Sequence, residues 1–85
     1  MTSRQFDRLA RRVEEVRFRV QTRYHQTNNP GLLSLIRNLD SLHADLCVII
    51  RELPRDSGYN RGQRAMLDYN RRELADIETE FQTFL

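Results

Sequence analysis

An all-α protein of three helices is what this chain predicts, on three observations. Apolar residues recur at three- and four-residue spacing through most of its 85 residues, the two prolines and three glycines fall at or beside the places where that pattern breaks, and no stretch alternates apolar and polar residues for long enough to make a strand. A chain of this length makes one domain, residues 1–85, with a small core. It contains no internal repeat and no low-complexity tract.

The first helix is expected over about 3–26. Phe6, Leu9, Val13, Val16, Val20 and Tyr24 lie on one side of it. Thr2 or Ser3 offers a capping oxygen at its start, and the polar run His25, Gln26, Thr27, Asn28 and Asn29, followed by Pro30 and Gly31, stops it near Gln26. His25 then belongs to the connection. Asn29 is a good N-cap and Pro30 a good first helical residue, because proline has no N–H to leave unpaired and its φ is already helical.

The second helix, about 30–53, carries Leu32, Leu35, Ile36, Leu39, Leu42, Leu46, Ile49, Ile50 and Leu53, and Pro54 closes it. Residues 55–59 lead to a third helix, about 60–84. Its start pairs Asn60 with Gln63 in a variant capping box, and its apolar side reads Met66, Leu67, Leu74, Ile77, Phe81, Phe84 and Leu85. Gly62 weakens its first turn. Asp68, Glu73, Asp76, Glu78 and Glu80 load this helix with acid that opposes its dipole, so its end frays unless Phe81, Phe84 and Leu85 pack it.

Short connections make sequential helices antiparallel neighbours, giving a helical hairpin plus a third helix. Helix two is apolar over more than the usual arc and needs more than one neighbour. A third helix of the same chain can supply it, and so can a second copy, with two hairpins pairing into a four-helix-bundle-like homodimer. The homodimer is the expectation we carry forward.

All fourteen basic residues are arginine, and seven of them, Arg4, Arg8, Arg11, Arg12, Arg17, Arg19 and Arg23, precede Tyr24. Against Asp7, Glu14 and Glu15 they give the first thirty residues a net charge of +4, while the formal net charge of the whole chain is only +2. The basic end is therefore joined to a slightly acidic remainder. A guanidinium is planar, permanently charged and able to fork onto phosphate oxygens. Codon bias also accounts for missing lysines, but not for their replacements crowding at one end.

Cys47 is the only cysteine, so no disulfide closes within the chain, and its place between Leu46 and Val48 suits a small buried thiol. The N-terminal MTSRQFDR lacks the apolar run of a secretory signal, and the longest unbroken apolar stretch, Leu46 to Ile50, is far too short to cross a bilayer. These features predict a soluble, cytoplasmic protein without membrane insertion.

Two helix faces stand out. Projected at about 100° per residue, Arg8, Arg12, Arg19 and Arg23 fall within roughly 60° of one another, away from the apolar side and over a length of about 22 Å. Glu15 to Arg19 has salt-bridge spacing, whereas Arg4 to Arg8 and Arg8 to Arg12 repel unless something anionic lies over them. An ordinary solvated basic face is the plain alternative. On helix two, Arg37, Ser41, Ala44, Val48 and Arg51 fall within about 40° of one line, opposite Leu39, Leu42, Leu46 and Leu53, and Arg55 extends the row. Small residues between the arginines let this helix lie close to a partner.

His43 and Cys47, four apart and near Asp40, have the spacing of two metal ligands on one helix face, but without a second cluster a packed histidine is the better reading. No metal and no cofactor is expected. The chain has no glycine-rich phosphate loop and no nucleophile, base and orienting acid that sequence brings together, so it is not read as an enzyme.

The segment Arg37, Asn38, Leu39, Asp40, Ser41, Leu42, His43, Ala44, Asp45 and Leu46 resembles the middle of the second helix in the small RNA-silencing suppressors of insect nodaviruses, which reads basic, any, Leu, Asp, any, Leu, His, Ala, any, Leu. The match covers about ten residues at a similar distance from the N-terminus. The resemblance implies an antiparallel helical homodimer that lies along one face of double-stranded RNA and shields it from the silencing nuclease without reading its sequence. Recognition by shape suits A-form RNA, whose deep major groove is closed to side chains. The resemblance places Arg37 and Arg55 at positions that contact RNA. Two departures stand out: Pro54 falls where the second helix of that family continues, and Val48 stands where the family has a basic residue.

The functional expectation is thus a double-stranded RNA binder, with Arg37, Arg51 and Arg55 on phosphates and 2′-hydroxyls, Arg8, Arg12, Arg19 and Arg23 adding to them, and Ser41, Ala44 and Val48 allowing close approach. Proteins of the host silencing machinery are further candidate partners. The competing expectation is a helical protein-interaction module whose basic first helix docks an acidic partner. A DNA-binding regulator ranks last, since the Asn28 to Gly31 connection leads into a helix of core character rather than a recognition helix.

Overall fold

The computed structural model describes residues 4–52 and 61–85. Three helices, α1 (Arg4–Thr27), α2 (Pro30–Glu52) and α3 (Arg61–Gln82), account for nearly all of them, and no strand occurs among the described residues. The expected caps at Thr2, Ser3 and Asn60, the stop at Pro54, the connection at 55–59 and the apolar Leu53 lie outside the described residues, as does Arg55.

The α1–α2 turn follows from its sequence. Asn28 adopts a left-handed φ of 54°, a conformation that asparagine tolerates better than most side chains, and its N–H donates to the Tyr24 carbonyl at 2.6 Å, closing α1. Asn29 then caps α2: its side-chain Oδ1 accepts from the Gly31 N–H at 3.0 Å and its carbonyl accepts from Leu32 at 3.1 Å. Only two residues separate the helices, so α1 and α2 run back to back as antiparallel rods. His25, expected in the connection, is instead exposed in the last turn of α1, because the helix continues until Asn28 ends it.

α3 returns toward this turn, antiparallel to α2 and parallel to α1. A side chain added at Gly31 would put its Cβ 2.8 Å from the Phe84 ring, so the glycine makes the seat on which the end of α3 rests. Phe81 is buried and Phe84 half-buried, and the last residues close with 3₁₀-type bonds from Thr83, Phe84 and Leu85 to the carbonyls of Glu80, Phe81 and Gln82. Packing thus holds the acidic end of α3 against its unfavourable dipole. The body is elongated, 46 × 17 × 15 Å.

A single core joins the helices: Phe6, Leu9, Ala10, Val13, Val16 and Val20 from α1, Leu32, Leu35, Leu39, Leu42 and Leu46 from α2, and Leu67, Leu74, Ile77 and Phe81 from α3. Both neighbours that the wide apolar arc of α2 requires are present within one chain. Of the other expected α3 residues, Phe84 packs against this core half-buried, and two are exposed instead. Met66 lies at the edge of the apolar stripe and is 45% exposed, while Leu85 follows the helix end and is 63% exposed. Asn70 takes a central place in the stripe instead and is buried.

Leu39→Ala empties a fully buried position and is expected to cost about 2–5 kcal/mol in urea unfolding, whereas Val48→Ala, on the outer face of the same helix, should change stability by less than about 0.5 kcal/mol.

Candidate functional site

Because the leucines of α2 face α1 and α3, the opposite side of the helix faces out. Arg37, Ser41, Ala44, Val48 and Arg51 are all exposed, and the two guanidinium-bearing positions stand about 21 Å apart along the helix. Among the described residues, no carboxylate comes within ion-pair distance of Arg37 or Arg51. Asp40, at one flank of the row, is engaged by the Nε of Arg17 across the α1–α2 seam. The row is a shallow ridge with small side chains between two free cations.

The arginine face of α1 divides in two. Arg8 and Arg19 are exposed and have no acid partner among the described residues. Arg12 is tied to its own fold, with Nε 3.2 Å from Glu78 Oε1 on α3 and Nη1 3.3 Å from Glu15 Oε2. The bond to Glu78 and then the charge of Glu78, with Glu15 adding to them, hold the Arg12 guanidinium pKa above its ordinary value. Glu15 therefore pairs with Arg12, three residues back, rather than with Arg19. Arg23 is half-buried, and its Nη2 donates to the Phe84 carbonyl at 3.4 Å. Of the four arginines that the helical projection groups together, two join helices and two face out. The continuous stripe is shortened accordingly.

On the side of the hairpin away from α3, His43 Nε2 lies 2.9 Å from Glu14 Oε1 and His43 Nδ1 lies 3.7 Å from Cys47 Sγ. Both imidazole nitrogens are engaged, so histidine and cysteine do not present a common vacant point for a cation. No group of three or more His, Cys, Asp or Glu among the described residues is placed to hold a metal ion. Nor is any described helix long and apolar enough to cross a membrane.

The sequence pattern does not reveal Phe18. It is 71% exposed on the outer side of α1, one turn from Glu14 and Glu15, and with Leu85 it borders a groove between α1 and α3. Its signal was its position: an aromatic residue well off the apolar stripe of an otherwise regular amphipathic helix.

No protein family, no curated protein and no solved structure matches this chain.

Tyr69 lies exposed on α3. Its phenol donates to Glu73, one turn on, and this bond, then the Glu73 charge, then burial and Asp45, push the Tyr69 pKa up from the usual value for tyrosine. Absorbance-monitored alkaline titration should find Tyr69 ionising above the ordinary tyrosine range, and Glu73→Gln should lower that midpoint by removing the carboxylate that disfavours the phenolate.

Proposed function

We propose that this protein binds double-stranded RNA as a homodimer, without sequence preference, and suppresses RNA silencing by covering the duplex against the silencing nuclease. The observation that carries the reading is the outward row of α2: two arginines without acid partners among the described residues, separated by Ser41, Ala44 and Val48, on one uninterrupted helix. Guanidiniums matched to phosphate oxygens, with small residues between them, suit shape-based contact across the exposed edges of an A-form helix. Arg8 and Arg19 add charge from α1, while Arg12 and Arg23 serve the fold. Arg55, four residues after Arg51 in the sequence, remains part of the proposal although it lies outside the described residues.

The homodimer is part of the reading for an electrostatic reason. The few phosphate contacts that one chain can make give weak binding in salt, and a twofold pair doubles the number of counterions released. The protein-docking alternative draws on a different feature, the exposed apolar side chains Phe18, Met66, Tyr69 and Leu85.

Gel shifts with RNA duplex, DNA duplex and single-stranded RNA separate the two. The RNA duplex should be retained preferentially and with a steep salt dependence, and Arg37→Gln or Arg51→Gln, each removing one contact from both subunits, should lower the slope of log affinity against log salt by about 2 per bound dimer. Affinity that is flat in salt, or no retention of the duplex at moderate salt, favours protein docking.

A further inference from the structure

We infer that the groove between α1 and α3 is a binding site for a single-headed anionic amphiphile, a long-chain carboxylate, with Arg19 and Arg23 holding the head and the apolar floor holding the tail. This inference shares Arg19 with the RNA reading but does not need the α2 row on which that reading rests.

The groove has a volume of about 460 Å³ and is lined by Val16, Arg19, Arg23, Phe81 and Leu85, with Phe18 at its edge. That volume is within the range of small-ligand sites, which combine a mostly apolar lining with a few directed polar groups. Phe18 and Leu85, 71% and 63% exposed, leave apolar surface in water that a hydrocarbon tail would cover.

Charge selects the head. Among the described side chains that line the groove, Glu78 is the one acid, and its carboxylate is already paired with Arg12. Arg19 has no acid partner among the described residues. Arg23, one turn further on the same face, donates through Nη2 to the Phe84 carbonyl, but its Nε is shut off from solvent and has no acceptor among the described residues. A buried donor left unpaired is costly, and a carboxylate entering between the two guanidiniums meets that need as the Arg23 side chain turns toward it. Two cations one helical turn apart match one compact anion. The floor beneath them is apolar, so a free inorganic anion would leave it uncovered.

Dodecanoate, used below its micelle range, is the probe, with dodecanol and dodecyltrimethylammonium as neutral and cationic controls of the same tail. The intact protein is loaded with the fluorescent anion 8-anilinonaphthalene-1-sulfonate, and displacement is followed by titration. Dodecanoate should displace the dye saturably, and Arg19→Gln, an exposed position that the core does not need, should weaken it about tenfold. Arg37→Gln on α2 should leave it unchanged. Because a variant at Arg23 disturbs the Phe84 contact, the second readout is amide shifts of the unaltered protein, which dodecanoate should move at Val16, Arg19, Arg23 and Leu85. Equal displacement by dodecanol, an unchanged affinity in Arg19→Gln, or shifts lying outside the groove would each overturn the assignment. So would capture of an acidic amphipathic peptide in the absence of dodecanoate binding, which makes the groove a protein-docking site.

Discussion

The wide apolar arc of α2 is the constraint from which the remaining architecture follows. Leu32, Leu35, Leu39 and Leu46 are fully buried and Leu42 nearly so, and they need cover from two directions. α1 provides one cover, held antiparallel by the two-residue turn at Asn28 and Asn29, and α3 provides the other, seated on Gly31 through Phe84. Once the leucines are fixed, the helical repeat fixes the rest of α2: Arg37, Ser41, Ala44, Val48 and Arg51 have nowhere to point but outward.

The arginines of this chain do two kinds of work, and position on the helix decides which. Those at the margins of the α1 apolar stripe meet groups on neighbouring helices: Arg12 meets Glu78, Arg17 meets Asp40, and Arg23 meets the carbonyl of Phe84. These exposed or half-exposed pairs contribute little stability singly. Arg8 and Arg19, further from the stripe, remain available, as do Arg37 and Arg51 on α2. A basic end of net charge +4 is therefore less a uniform anion surface than its composition suggests, and the more regular ridge belongs to α2, where the charge density is lower.

The helices were legible because periodicity and punctuation agree. Asn29 before Pro30 marks the start of α2 in the sequence as it does in the structure, and the valine series of α1 lies in the core without exception. The outward α2 row was legible for the same reason, since a wheel that places the leucines inside also places the row outside. What the wheel cannot provide is pairing between helices. Arg12 looks free when α1 is read alone, and Glu78 lies sixty-six residues away in sequence. Asn70 illustrates the converse, a polar residue whose burial depends on packing that no local pattern encodes. Phe18 went unread although it lies off the apolar stripe, and the groove beside it exists only once α3 is in place.

The central claim is that the outer face of α2 meets the duplex. The most direct measurement is heteronuclear NMR of the Arg side-chain Nε–Hε groups and the α2 amides during titration with a short RNA duplex. The account predicts that the signals of Arg37 and Arg51 and the amides of Ser41, Ala44 and Val48 shift together and saturate together, while those of Arg12 stay in place. Shifts confined to α1 and α3, or an α2 row that does not respond to RNA, would contradict it.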